Sequence, residues 1–257
     1  MTNMDEITSY IESIASLALA AEWDNSGMQV DVGKKQVEKA IIALDITRGV
    51  VEEAKACGAD LIVTHHPLIF KPLRKVDHNT ATGNIVVELI RHGISAYSAH
   101  TNFDAADGGN NDYLASLLAL ANVRKFESAP IGRYGELPAK TSFGEVCGYV
   151  KNALKLERMA ATGDPGAKIW KVGLCSGASA DLIDNAASSG CDLFITGDVK
   201  YHDAHHAMAQ GICLIDAGHY GTEKFFVENM AGKLELAFGG KLEVVSSKVG
   251  LEPFYMC

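Results

Sequence analysis

Apolar residues follow two rhythms along this chain, and the rhythms take turns. Ile7, Ile11, Ile14 and Leu17 recur at helical spacing, which predicts an amphipathic helix over residues 5–21. Ala40-Ile-Ile-Ala-Leu-Asp-Ile46 is instead the short unbroken apolar run of a buried strand. Thr47 can cap the helix that follows, and Gly58 can end it in a left-handed conformation. Residues 60–64 read as the next strand. A loop with Pro67 and Pro72 leads to a helix near 84–92, closed by Gly93, and then to a strand over 94–99. Helical spacing returns over 110–121.

The second half repeats the plan. Strands are expected over 169–175, 192–196 and 212–216, with helices over 179–189, 202–210 and from about 222. Gly58-Ala-Asp-Leu-Ile-Val-Thr64 lines up with Gly190-Cys-Asp-Leu-Phe-Ile-Thr196, and Gly93-Ile94 with Gly211-Ile212. These matches fall at corresponding places in the order strand, helix, strand, helix, strand, so an internal duplication is expected. The fold class is then α/β, with two similar halves packed face to face around a cleft formed by their strand ends. The expected partition is 1–125 for the first half and 169–257 for the second. Between them, 126–168 reads as a short connector with one helix, opened by the capping signal Ser142-x-x-Glu145.

Composition narrows the function classes. At 257 residues with 47% apolar content, the chain can bury a core without staples. No apolar stretch approaches the roughly 18 residues of a membrane helix. The acidic start Met1-Thr-Asn-Met-Asp-Glu6 lacks a signal-peptide layout, so a cytoplasmic location is expected. Cysteines 57, 147, 175, 191, 213 and 257 form no CxxC pair, which suits reduced thiols rather than a disulfide framework or zinc knuckle. A net charge of −9 repels phosphate backbones and argues against broad nucleic-acid binding.

The candidate chemistry sits at strand ends. His65-His66 follows the strand over 60–64, and Pro67 stiffens its exit. An isolated histidine pair would more often be one buried and one exposed imidazole without a metal. Here a second strand end carries His100 and Asp104, and a third carries His219 and Glu223. If the turn is already helical at His219, His219 and Glu223 share one face, with Thr222 available as a cap; the plain alternative is a surface i,i+4 pair. The carboxylates would offset dication charge and can bridge two ions roughly 3.5–4 Å apart. For Asp107, Asn110 and Asn111 helix capping is the preferred reading. His202 and His206 are i,i+4 as well, but with no acid to match them a polar helix face or substrate contact is favoured over a metal. Ser176-Gly-Ala-Ser179 offers a weak signal for a phosphate at a helix N-terminus.

Several motifs together resemble a known family. They are Glu22-Trp-Asp-Asn-Ser-Gly27, Leu44-Asp-Ile-Thr47, Thr64-His-His-Pro67, Ser98-Ala-His-Thr-Asn102, Asp107-Gly-Gly-Asn-Asn-Asp112, Thr196-Gly-Asp198 and Gly218-His-Tyr-Gly-Thr-Glu223. The chain looks like the GTP cyclohydrolase 1 type 2 homologues, the NGG-interacting-factor-three-like proteins with dinuclear metal centres. That resemblance implies a metal set of His65, His66, Asp104, His219 and Glu223, with His100 in proton transfer and Asn25 and Asp45 lining the pocket. It also implies a toroidal homohexamer, and the short segment between the halves implies that the large inserted domain of some members is absent. The implied cofactor is two divalent ions, and mixed imidazole and carboxylate ligands suit Zn, Mn or Fe(II). The implied activity is a metal-dependent hydrolase that opens the purine imidazole ring of GTP and releases formate. Two alternatives stay open at this point: a metal-bound ring-shaped adaptor without turnover, and a two-metal phosphoesterase.

Overall fold

Short apolar runs are buried and build the centre of a sheet in each part of the molecule, Ile41-Ile42 and Leu61-Ile62-Val63 in one and Leu193-Phe194-Ile195 in the other. The structure, a computed structural model, describes residues 1–255. It divides into two compact units, one joining Met1–Ala106 to Phe226–Cys257 and the other continuous over Asp107–Phe225. This departs from a partition at 125 and 169, because the C-terminal helix Phe226–Phe238 and strand Glu243–Ser246 return to the first unit.

In the first unit, strand β1 (Thr2–Asn3) pairs with β3 (Gln36–Val37), and between them lie helix α1 (Met4–Ile14) and strand β2 (Gly27–Val30). Helix α1 stops well before residue 21: Ala15 leaves helical backbone, and only a 3₁₀ turn over Leu17–Leu19 follows. Strand β4 (Lys39–Ala43), helix α2 (Arg48–Cys57), strand β5 (Leu61–Thr64), helix α3 (Ala81–His92) and strand β6 (Ser95–Ser98) then follow, with helix α4 (Thr101–Ala105) beyond them. Strand Glu243–Ser246 pairs parallel to β4, the run β4-β5-β6 is parallel, and β2 closes the far edge antiparallel. Thr47 accepts from the Val50 N–H and Gly58, at φ 70°, ends α2, as the sequence predicts. Val50 and Ala54 of α2 and Val86 and Leu89 of α3 pack onto Ile41, Ile62 and Ala96. Each fully buried aliphatic side chain there contributes ~1.5–3 kcal/mol.

The second unit begins with helix α5 (Asn110–Leu117), then β7 (Ala121–Lys125), β8 (Arg133–Ser142), helix α6 (Phe143–Ala153), β9 (Ala160–Thr162) and β10 (Lys168–Leu174). Helix α7 (Ile183–Ser188), β11 (Leu193–Thr196), helix α8 (Tyr201–Ala209), β12 (Cys213–Asp216) and helix α9 (His219–Glu223) complete it. The sheet order is β7-β8-β10-β11-β12-β9, with β10-β11-β12 parallel and the flanking pairs antiparallel. The capping box of Ser142 and Glu145 opens α6. Segment 126–168 is nevertheless more than a connector with one helix, since β8 and β9 are members of the sheet.

The internal duplication reaches individual side chains. Lys39 at the start of β4 donates from Nζ to the Cys57 carbonyl at the end of α2; Lys171 of β10 donates likewise to Ser189 beyond α7. Asp60 accepts from the backbone N–H groups of Glu38 and Lys39, and Asp192 from those of Trp170 and Lys171. Neither unit carries a large inserted domain. Among the described residues, Cys57, Cys147, Cys175, Cys191 and Cys213 form no disulfide, and Cys257 lies outside the described residues.

Candidate metal centre

In the first unit, β5 and β6 end side by side, and their last residues launch three imidazoles. His65 is completely buried, and its Nδ1 lies 2.9 Å from the Ala99 carbonyl. A carbonyl can only accept, so the Nδ1 of His65 carries the hydrogen and the ring's lone pair lies on Nε2. His66 sets its Nδ1 2.8 Å from Asp45 Oδ1. Its backbone is pinned from both sides, because its N–H donates to the Leu44 carbonyl while its own carbonyl accepts from Thr64 and Ser98. Nδ1 of His100 lies 2.7 Å from Asp24 Oδ1. Ligand atoms of His65, His66 and His100 all fall within 4.8 Å of one another. Asp104, buried on α4, holds Oδ2 at 3.6 Å from His65 Nε2.

Asp24 is a sequestered carboxylate. Burial alone would raise its pKa, but hydrogen bonds from His100, Thr101 and Ser26 outweigh that and hold it well below the usual carboxylate range. Asn25, next in sequence, donates from Nδ2 to the Ile69 carbonyl at 2.7 Å. Asp45 is placed as the outer partner of His66.

In the second unit, β12 ends at Asp216, and helix α9 begins at His219 rather than at Thr222. His219 Nε2 and Glu223 Oε2 are therefore one turn apart on one face, at 3.0 Å. The Nδ1 of His219 lies 2.8 Å from Asp198 Oδ2. Thr222 does not cap the helix. Its hydroxyl bonds back to the Gly218 and His219 carbonyls and accepts from the Gly177 N–H. Glycines clear the space around this pair. A Cβ on Gly177 (φ 67°) would lie 2.3 Å from Glu223 Oε1, and one on Gly197 would lie 2.5 Å from the Gly218 carbonyl carbon.

Other expectations resolve differently. The Ser176–Ser179 loop does not present a row of open amides: Ser176 N–H donates to Asn111, Gly177 N–H to Thr222 and Ser179 N–H to Thr196. Asp107 pairs with Lys125, and Asn111 bridges Ser176 and the Ile131 carbonyl, so neither caps α5. His206 bonds to Asp184 at 2.7 Å, while His202 and His205 pack against Tyr201, an arrangement of a polar helix face. The residues that spacing did not flag are Asp24 and Asp198, the acceptors behind His100 and His219. Each lies inside a motif quoted above, and the signal was its position next to a strand end.

A family model for Duf34/NIF3 (NGG1p interacting factor 3) matches residues 2–253 of the chain. A GTP cyclohydrolase 1 type 2 homolog of Clostridium perfringens is 33% identical over 257 aligned residues, covering 98% of this chain and 98% of that protein. One from Lactococcus lactis is 34% identical and covers 95% of each. Among solved structures, a Bacillus cereus protein related to NIF3 superposes with a TM-score of 0.91 at 24% identity, covering 100% of this chain and 99% of that one, a likeness of fold.

Proposed function

This chain belongs to the Duf34/NIF3 (NGG1p interacting factor 3) family, and from that premise we propose a dinuclear-metal-dependent hydrolase acting on a purine nucleotide such as GTP. The observation that carries the proposal is a shared habit of the imidazoles. His65, His66 and His219 each set Nδ1 against an oxygen acceptor, Ala99, Asp45 and Asp198 respectively. That fixes the tautomer with the lone pair on Nε2, which is how metal-binding histidines are held. Two of those Nε2 atoms face carboxylate oxygens, at 3.6 Å for His65 and Asp104 and 3.0 Å for His219 and Glu223. Two electron-pair donors facing one another is an arrangement that a divalent cation reconciles.

His65, His66, Asp104, His219 and Glu223 would hold two ions of Zn, Mn or Fe(II). When bound, the ions supply Lewis acidity, polarising the substrate and lowering the pKa of water at neutral pH. The chain's own residues do the rest. Asp45 and Asp198 orient the ligand imidazoles. His100, held by Asp24 through Nδ1, offers Nε2 to take a proton from water and return it to the leaving nitrogen as the two C8–N bonds of the purine are hydrolysed in turn, two waters being consumed and C8 leaving as formate. The ring-shaped homohexamer and a cytoplasmic location belong to the same proposal.

Formate release from GTP, with Zn, Mn and Fe(II) supplied in turn, tests it. We expect turnover that is lost in His65→Ala, and a mass in solution of six 27.4 kDa chains. No formate with any of the three metals would remove GTP as substrate. A protein that takes up none of them would remove the hydrolase altogether and favour an adaptor.

A further inference from the structure

Two large rings stand exposed beside the histidine cluster of the first unit. Trp23 is 63% exposed and Phe70 is 48% exposed. Neither sits on a helix or strand, yet neither loop is left loose. Asp24, adjoining Trp23, is held by His100, Ser26 and Thr101. Asn25 Nδ2 donates to the carbonyl of Ile69, the residue before Phe70, at 2.7 Å. The Ile69 N–H donates to Gln29 Oε1 at 3.1 Å, and Gln29 Nε2 donates to the Asn25 carbonyl at 2.6 Å. The two loops are thus tied to each other, and the rings are carried by their ties.

The ring geometry is open. Trp23 and Phe70 have centroids 5.8 Å apart and planes at 63°, and each lies close to His100, at 6.0 and 6.4 Å. Rings at such an angle form a corner in which one offers its face and the other its edge, the two contacts a third planar ring favours. Polar groups are at hand as well, since Asn25 and Gln29 tie the two loops and His100 lies close to both rings. A rigid aromatic corner next to ligand imidazoles fits a planar heteroaromatic ring better than an aliphatic or peptide partner.

We propose that Trp23 and Phe70 form the seat on which a purine-type ring stacks, placing its edge toward His100. This rests on the hydrolase reading above but concerns different residues. Trp23 and Phe70 are specificity-determining residues, and the hydrogen bonds of Asn25 and Gln29 set the spacing between them.

The test uses the full chain carrying Trp170→Phe, which leaves Trp23 as the only tryptophan of two. GTP is titrated against Trp23 fluorescence, with ribose 5-phosphate and tripolyphosphate as probes that lack a base. We expect saturable quenching by GTP and none by the other two. Trp23→Ala should weaken GTP binding, and raise KM, roughly tenfold, as loss of one base-stacking contact does. Trp23→Phe should recover most of that loss, and kcat should change by less than about twofold, since only binding is removed. Equal quenching by the base-free probes, or unchanged GTP affinity in Trp23→Ala, would overturn the seat. The same holds if Trp23→Ala changes only the size of the assembly, which would make Trp23 a contact between copies. Base-specific quenching without formate release would retain the seat and sink the hydrolase. Formate release with an unaltered KM in Trp23→Ala would do the reverse.

Discussion

The two units share one scaffold and load it in opposite ways. Register aligns Thr64 with Thr196, because the first pairs with Ala43 and Ser98 and the second stands at the same point between β10 and β12. Ala99 and Ala217 then match, each donating its N–H to the carbonyl of its threonine at 2.8 Å. Counting outward, Asp45, His65 and His100 of the first unit correspond to Gly177, Gly197 and Gly218 of the second. Three positions that carry polar side chains in one unit are bare backbone in the other. The second unit places its own donors elsewhere, His219 and Glu223 on α9 and Asp198 at the position that matches His66 in the sequence. A duplicated fold fixes where chemistry can be done. Which copy supplies a side chain and which makes room for one is decided residue by residue.

Restoring side chains to the bare positions is the most direct way to break this comparison. Gly197→Ala should have the largest effect, because its Cβ would meet backbone at 2.5–2.6 Å in Gly218 and His219, atoms that cannot swing aside. We expect a loss of about 3 kcal/mol in urea unfolding, the upper end of overpacking costs; a loss near zero would show that the close approach is not required. Gly177→Ala should follow. Its Cβ meets only the flexible tip of Glu223, so the stability cost should be ~1–2 kcal/mol from the left-handed backbone. Its metal content, read by plasma mass spectrometry, should fall toward that of Glu223→Ala, and a full complement of metal would contradict the clearing role.

The outer carboxylates sharpen the comparison on a smaller scale. Asp45→Asn and Asp198→Asn should each weaken metal binding by about 10–100-fold in competition with a chelator, the usual cost of losing the partner behind a ligand histidine. A strong effect in one unit only would mean that a single ion, not two, depends on this site. The smallest effect is on acid tolerance. Asp24 has a depressed pKa, so the stability it adds is present above the unfolded value of about 4 and is lost as pH falls through its folded value. Melting temperatures followed downward from pH 5 should therefore decline less steeply in Asp24→Asn than in the parent. In the second unit Glu145, set at about 2 mainly by its hydrogen bonds from Ser142 and Thr141, should titrate at that value by carboxyl NMR whatever is done to Asp24.

Much of the parallel core was legible because its strands are short apolar runs ended by glycine-capped helices, as at Gly58 and Gly93. Strand β8 was not, since Arg133-Tyr-Gly-Glu-Leu-Pro-Ala-Lys-Thr-Ser142 is half polar and draws its pairing from β7 and β10 on either side. The return of Phe226–Phe238 and Glu243–Ser246 to the first unit was equally hidden, because periodicity says nothing of which sheet a late strand joins. At the site, the histidines stood out by type and position. Asp24 and Asp198 did not, because an aspartate in a turn reads as a turn residue until the imidazole behind it is seen. Asn25, one residue from Asp24 in the same motif, gave no hint in its spacing of the hydrogen bond it donates to the Ile69 carbonyl.

The pairing of Glu243–Ser246 with β4 also fixes an order of events during synthesis. Residues 107–225 form a unit without interruption and can close as soon as they leave the ribosome. The first unit begins earlier in the chain yet finishes later, since β4 has an open edge until the last strand emerges. Through most of translation that edge is a template for any passing strand. A nascent chain halted between residues 225 and 243 is thus the species in which aggregation is expected and to which a chaperone would be drawn.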